Sequence, residues 1–314
     1  MRRFLIKLCL FLLPVFLLLV GIECYILFYP STFNTKPAYL RKNAGAIEAL
    51  VLGSSHNQNA INPEFLHIPT ANLANAGQDV QLDSALFFKT VATLPALKLL
   101  ILEMDYHTME EKNDAAYFRL PWYKRFYDVE LAPVSLLNRI SIYSSEPSFF
   151  NKLLIDEMNP RKLRYKLNKF GFILNDFPGV MEDLDYDTLA LAKTSAERLK
   201  DKHTINSPEN FAFNRRKLDA IIRYALSHNL KLLVMSTPMY STYIANEIAE
   251  KNMRRRHYID SLKTLPNLTY ADFEQSSRFD VHDFKNDDHL NSTGAKKFSM
   301  MVDSLMLEMI KPKQ

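Results

Sequence analysis

The chain has 314 residues, 39 Lys plus Arg against 35 Asp plus Glu, and a formal net charge of +4. At 47 % hydrophobic and 24 % charged residues the composition excludes a disordered or collagen-like chain, and the length fits one large or two small packed domains. So small and scattered a charge leaves nucleic acid outside the expected partners.

The chain begins with a run from Leu8 to Ile22 that carries no charge, and it extends to Tyr29 if Glu23 sits at the interface and Lys7 snorkels. Arg2, Arg3 and Lys7 precede it, which predicts a cytoplasmic N-terminus and a main domain on the periplasmic or extracellular side. Gly21-Ile22-Glu23-Cys24-Tyr25 lacks a small-x-small exit site, so residues 1–29 are expected to remain as a single-pass anchor. Both cysteines, Cys9 and Cys24, lie in this segment, which excludes disulfides, thiol catalysis and Cys-ligated zinc beyond it. Residues 30–46 read as a juxtamembrane connector, and residues 47–314 as the functional domain.

Four apolar runs then read as buried strands: Ile47 to Leu52, Thr70 to Ala74, Leu97 to Met104 and Leu230 to Ser236. A fifth follows at about Leu268 to Phe273. Between them, Asp79 to Leu94 has apolar residues at helical spacing, and Ser207-Pro208-Glu209 opens a helix running to about His228. A closing helix is expected from about Ser292 to Ile310. Alternating strands and helices predict an α/β fold, a flavodoxin-like three-layer sandwich with a mainly parallel sheet. Residues 105–206 break the rhythm. This aromatic-rich insertion of about a hundred residues follows a strand's C-terminal end, where such sheets bind ligands, so it reads either as a lid or substrate platform or as a helical subdomain with its own core.

Three glycine-containing segments carry the candidate chemistry. Val51-Leu52-Gly53-Ser54-Ser55-His56 puts a serine pair just past the first strand, where a following helix N-terminus would aim N–H groups at an oxyanion. Asn72-Leu73-Ala74-Asn75-Ala76-Gly77 ends the second strand on a glycine whose amide can approach a ligand, with Asn75 as a possible side-chain donor. Asn286-Asp287-Asp288-His289 places a late histidine in an acidic loop before the last helix. A serine hydroxyl needs a nearby imidazole to take its proton, and an imidazole near its ordinary pKa of about 6.5 can do so at neutrality. A divalent-cation site at His282, Asp283, Asp287, Asp288 and His289 is the other reading, although consecutive side chains seldom converge on one ion. His56 and His107 read as packing histidines near the mouth.

In order and placement these segments resemble the SGNH, or GDSL-like, hydrolase superfamily, over roughly residues 47–105 and 207–310. Within it, the look is that of the membrane-anchored branch similar to the teichoic-acid D-alanine transfer protein and the alginate O-acetylation proteins. The resemblance implies Ser55 as nucleophile, His289 as general base, and the Ser55 amide with Gly77 as oxyanion donors. Two positions depart from the pattern. Glu103-Met104-Asp105-Tyr106 lacks the family's Gly-x-Asn donor, which leaves Asn75 as a substitute. The expected Asp three before His289 is Asn286, so either Asp287 or Asn286 is expected to orient the imidazole. The implied function is an exported serine esterase or O-acyltransferase acting on cell-envelope or secreted polysaccharide, with no cofactor. In the transferase form its partner would be a polytopic membrane acyltransferase. The alternative is a non-catalytic envelope glycan-binding or assembly protein on the same fold.

Overall fold

A computed structural model describes residues 1–159, 166–175 and 179–310, without the side chains of 198–202. Five strands form the central sheet: β1 (Ala49–Val51), β2 (Thr70–Asn72), β3 (Leu99–Glu103), β4 (Lys231–Ser236) and β5 (Leu268–Asp272). Their order is β2-β1-β3-β4-β5 and every pairing is parallel, the flavodoxin-like arrangement expected. Side chains alternate between the faces of a strand, so each strand feeds two cores. Leu50, Leu52, Leu100, Leu102, Leu232 and Val234 face one core, and Ala49, Val51, Leu99, Ile101, Leu233 and Met235 the other. Burial on both faces is why these strands read as continuous apolar runs rather than alternating ones.

The helices are α1 (Arg2–Phe28), α2 (Thr32–Asn43), α3 (Ser55–Ala60), α4 (Val80–Thr90), α5 (Leu120–Tyr127), α6 (Leu136–Ile140), α7 (Pro147–Met158), α8 (Val180–Asp183), α9 (Thr188–Lys202), α10 (Pro208–Ser227), α11 (Ser241–Ile244), α12 (Ala249–Leu262) and α13 (Ser292–Ile310). Residues of α2, α4, α10 and α12 fill the first core, and Phe298, Val302 and Met306 of α13 fill the second. Two starts match the capping chemistry of the sequence: Asp79 accepts from Leu82 N at 2.9 Å and Ser207 from Asn210 N at 3.2 Å.

α1 is long and apolar enough to cross a membrane, and residues 1–20 are exposed. Its end is fastened to the domain. The Glu23 carboxylate accepts from Ile142 N (2.7 Å), Ser141 Oγ (2.9 Å) and Tyr143 N (3.2 Å), and Tyr29 OH donates to Glu157 at 2.8 Å.

Residues 30–46, the juxtamembrane connector, pack onto the domain. Ser31 caps α2 in a reciprocal box with Asn34, and Phe33 and Leu40 are buried in the first core. Phe33 stands edge-on to Trp122 and Tyr123 of α5, with ring centroids 5.1 and 5.2 Å away. The insertion's aromatics therefore join the main core instead of forming a separate one, while other insertion residues reach the mouth of the sheet. The segment before the last helix is a two-stranded antiparallel hairpin, β6 (Phe284–Asn286) and β7 (His289–Leu290), where a loop was expected.

Candidate active site

The C-terminal ends of β1, β2, β3 and β4 meet at one edge of the sheet, and the β6–β7 hairpin leans over them. Gly53 leaves β1 with φ +138°, a conformation open chiefly to glycine, and a Cβ there would lie 2.6 Å from Glu103 Oε2. That space admits the Glu103 carboxylate, which accepts from Ser54 N (2.9 Å), Asn57 N (3.0 Å) and Ser54 Oγ (2.6 Å). The turn is thereby held from the neighbouring strand. Ser54, its N-cap, is buried and committed: its hydroxyl also accepts from His56 N at 3.2 Å and pairs with His107 Nε2 at 3.0 Å. Ser55 opens α3, half-buried, on the wall of a cleft of about 770 Å³.

Across the cleft, Ser55 Oγ lies 2.8 Å from His289 Nε2. The other ring nitrogen, Nδ1, lies 2.7 Å from Asp288 Oδ1 and 3.0 Å from Asn286 Oδ1. These partners set the tautomer: Nδ1–H donates to the acid and amide, leaving Nε2 to accept from the hydroxyl. The carboxylate on the imidazole is thus Asp288, not Asp287, whose backbone carbonyl instead takes Tyr240 N at 2.9 Å. A tight hairpin explains the difference. Asn286 pairs with His289 across the ladder, while Asp288 turns back onto the ring of its own neighbour.

Burial pushes the His289 pKa down to about 4, with the His56 and Lys285 charges adding to it and Asp288 opposing. Asp288 stays well below the usual carboxylate range: burial alone would raise it, but His289 and His56 outweigh that cost. At neutral pH the pair is carboxylate beside neutral imidazole, the state in which a histidine can accept a proton.

Behind the carboxylate stands a second histidine that sequence reasoning set aside. His56 Nε2 lies 3.7 Å from Asp288 Oδ2, and its Nδ1 lies 2.6 Å from Asp105 Oδ2. Burial disfavours its charge, yet the hydrogen bonds to Asp105 and Asp288 and the field of Glu103 prevail and hold His56 well above the ordinary histidine range. Asp105 is fixed in turn by Thr237 N and Thr237 Oγ1, both at 2.7 Å. His107 and His203 stack with centroids 4.8 Å apart, both pushed low, by burial first. The signal was present as Glu103, Asp105 and His107 at alternate positions from the last residue of β3, the first two in the segment marked only as a departure.

Gly77 lines the cleft with φ +73°, and a Cβ there would meet Tyr117 OH at 2.6 Å. Asn75 does not reach the cleft as a donor. It is fully buried, with its amide on Leu73 O (3.1 Å) and Tyr127 OH (3.4 Å). The proposed cation set is also not assembled. His282 packs on the Tyr186 ring, and Asp283 binds Lys297 and the Asp280 backbone, away from the His289 ring. Ligand atoms of His56, Asp288 and His289, and of His56, Glu103 and His107, do lie within 4.8 Å of one another. Both sets depend on His56, whose Nδ1 already lies 2.6 Å from Asp105 Oδ2.

No protein-family model matches the chain, and no curated protein matches its sequence. Among solved structures, a "putative acylhydrolase" from Bacteroides fragilis is similar at 10 % identity and TM-score 0.39, over 86 % of this chain and 95 % of that one. A "putative platelet activating factor" from Streptococcus pneumonia is similar at 11 % identity and TM-score 0.40, over 96 % of this chain and 99 % of that one.

Proposed function

We propose that the protein is a serine esterase or O-acyltransferase of SGNH type, anchored by α1 and acting on acyl esters of cell-envelope or secreted polysaccharide. The observation that carries this reading is the line from Ser55 Oγ through His289 to Asp288, at 2.8 and 2.7 Å. His289 Nε2 takes the hydroxyl proton as Ser55 Oγ bonds to the acyl carbon. The ester C–O bond then breaks, the alcohol leaves with that proton, and the acyl group stays on Ser55. Water or a sugar hydroxyl attacks next, returning a proton through His289 and freeing Ser55. The carbonyl oxygen is served by the Ser55 N–H at the start of α3, since His56 N and Asn57 N are taken by Ser54 Oγ and Glu103, with the Gly77 backbone as second donor. Arg2, Arg3 and Lys7 support a cytoplasmic N-terminus, which places the site beyond the membrane, where a polytopic partner could deliver acyl groups. The Asp288 carboxylate, on the same ring nitrogen as Asn286, favours this reading over a non-catalytic binder.

The direct test is a fluorophosphonate probe on the full chain in detergent or nanodiscs. Covalent labelling at Ser55 is expected, and a folded protein that stays unlabelled would overturn the reading. The pH dependence of labelling is a second expectation. The base works only when deprotonated, so the rate should rise with pH through about 4 and be flat from about pH 5.5 to 7.5. Half-maximal labelling near 6.5 would show instead a solvated imidazole free of this burial.

A further inference from the structure

A second cavity, of about 240 Å³, adjoins the cleft and has the opposite character. The two share Gln58, Ala76, Arg119 and Ile173 as walls. Gln58 follows Ser55 by three residues on α3, on the same helix face. Beyond that shared rim the lining turns apolar: Trp122, Phe126 and Ile142, Phe149, Phe150 and Leu153. Ile26, Tyr29 and Phe33 close the far side, which places the cavity at the end of α1, where the anchor meets the domain. Arg119 holds the rim, its Nη1 donating to Ala76 O and its guanidinium over the Phe118 and Trp122 rings.

We infer that this cavity receives the hydrocarbon tail of the acyl group carried on Ser55, so that the substrates are esters of medium-chain acids rather than acetyl or aminoacyl esters. The inference rests on the serine hydrolase reading. An ester carbonyl at Ser55 Oγ with its alcohol in the polar cleft leaves the shared rim as an exit for its chain. At about 30 Å³ per water-sized group, the volume has room for on the order of eight such groups, which suits an octanoyl-sized tail. Each buried methylene is worth about 0.8 kcal/mol, roughly fourfold in binding, so an apolar pocket of this size discriminates strongly by chain length.

Trp122 is the chain's one tryptophan and lines the cavity, so its fluorescence reports occupancy without catalysis. With full-length Ser55→Ala in nanodiscs, 8-bromooctanoate should quench Trp122 along a saturable curve that octanoate reverses and acetate does not. Leu153→Tyr, which fills the cavity from a half-buried position, should abolish the saturable component while circular dichroism is unchanged. In the native chain, kcat/KM should rise at least about tenfold from acetyl to octanoyl p-nitrophenyl esters. Phe149→Ala, at a partly exposed lining position, should move the optimum to longer chains. Linear quenching without competition, or a rate falling from acetyl to octanoyl, overturns the inference while Ser55 labelling leaves the hydrolase reading standing. Saturable, competed quenching in Ser55→Ala, together with a native chain that fluorophosphonate does not label, keeps the tail site and rejects the hydrolase.

Discussion

Ser55→Ala should lower ester turnover by roughly 10⁴-fold or more and abolish fluorophosphonate labelling, because among the described residues no other hydroxyl is paired with His289 Nε2. The neighbouring substitution gives the contrast. The Ser54 hydroxyl is spent on Glu103, His107 and the His56 amide, and its role is to cap α3. Ser54→Ala should therefore cost about 1 kcal/mol of stability, read as a lower melting temperature, with labelling slowed and not lost. Labelling retained in Ser55→Ala would reject the nucleophile. Equal rate loss from either serine would show that the turn, not one hydroxyl, is what the reaction needs.

Asp288→Ala should produce the next largest loss, on the order of 10²- to 10³-fold in kcat. Replacing the carboxylate of a Ser-His-Asp set by an amide costs about 10⁴-fold where it leaves the imidazole in the wrong tautomer. Here Asn286 Oδ1 still accepts from Nδ1 at 3.0 Å, so orientation survives and only the stabilisation of the imidazolium is lost. Asn286→Ala should cost less, about tenfold, since the charge remains. Asp287→Ala should stay within a few-fold, because the backbone contact with Tyr240 persists. If Asp287→Ala were the most damaging of the three, the turn would have to rearrange when substrate binds, and the assignment of Asp288 would fall. His289→Ala with unchanged turnover would end the mechanism altogether.

The sheet was legible because burial on both faces leaves unbroken apolar runs, and the Ser55–His289 contact was legible because each residue lies beside a strand or helix boundary. Of the two residues expected on the imidazole, Asn286 is there, while the carboxylate is Asp288 and not Asp287, for a local reason. A residue three before a histidine reaches its ring in an open loop, whereas a hairpin turn also brings the preceding residue onto the same nitrogen. His56 and Asp105 lie 49 residues apart in sequence, and only the pairing of β1 with β3 brings them to 2.6 Å. Helix α12 escaped because its buried positions include Lys251 and Arg255, so its apolar period is broken. Arg255 is at home there through two 2.8 Å contacts to Glu274, a partner the local sequence does not advertise. Likewise α2 hides Lys36, whose burial takes its pKa down to about 7.

The fastening of α1 at Glu23 and Tyr29 sets a geometric rule for what the protein can reach. A domain on a loose tether sweeps a hemisphere and finds acceptors at many heights. Here three hydrogen bonds at the end of the helix and one just beyond it join the anchor to the same insertion that walls the cleft. Once α1 is seated in a bilayer, Ser55 travels sideways with the lipids at one fixed altitude. On the proposed reading of α1 as an anchor, its catch would be set by what passes through that thin slab, and a polymer further out would be touched only where its strands dip to the surface.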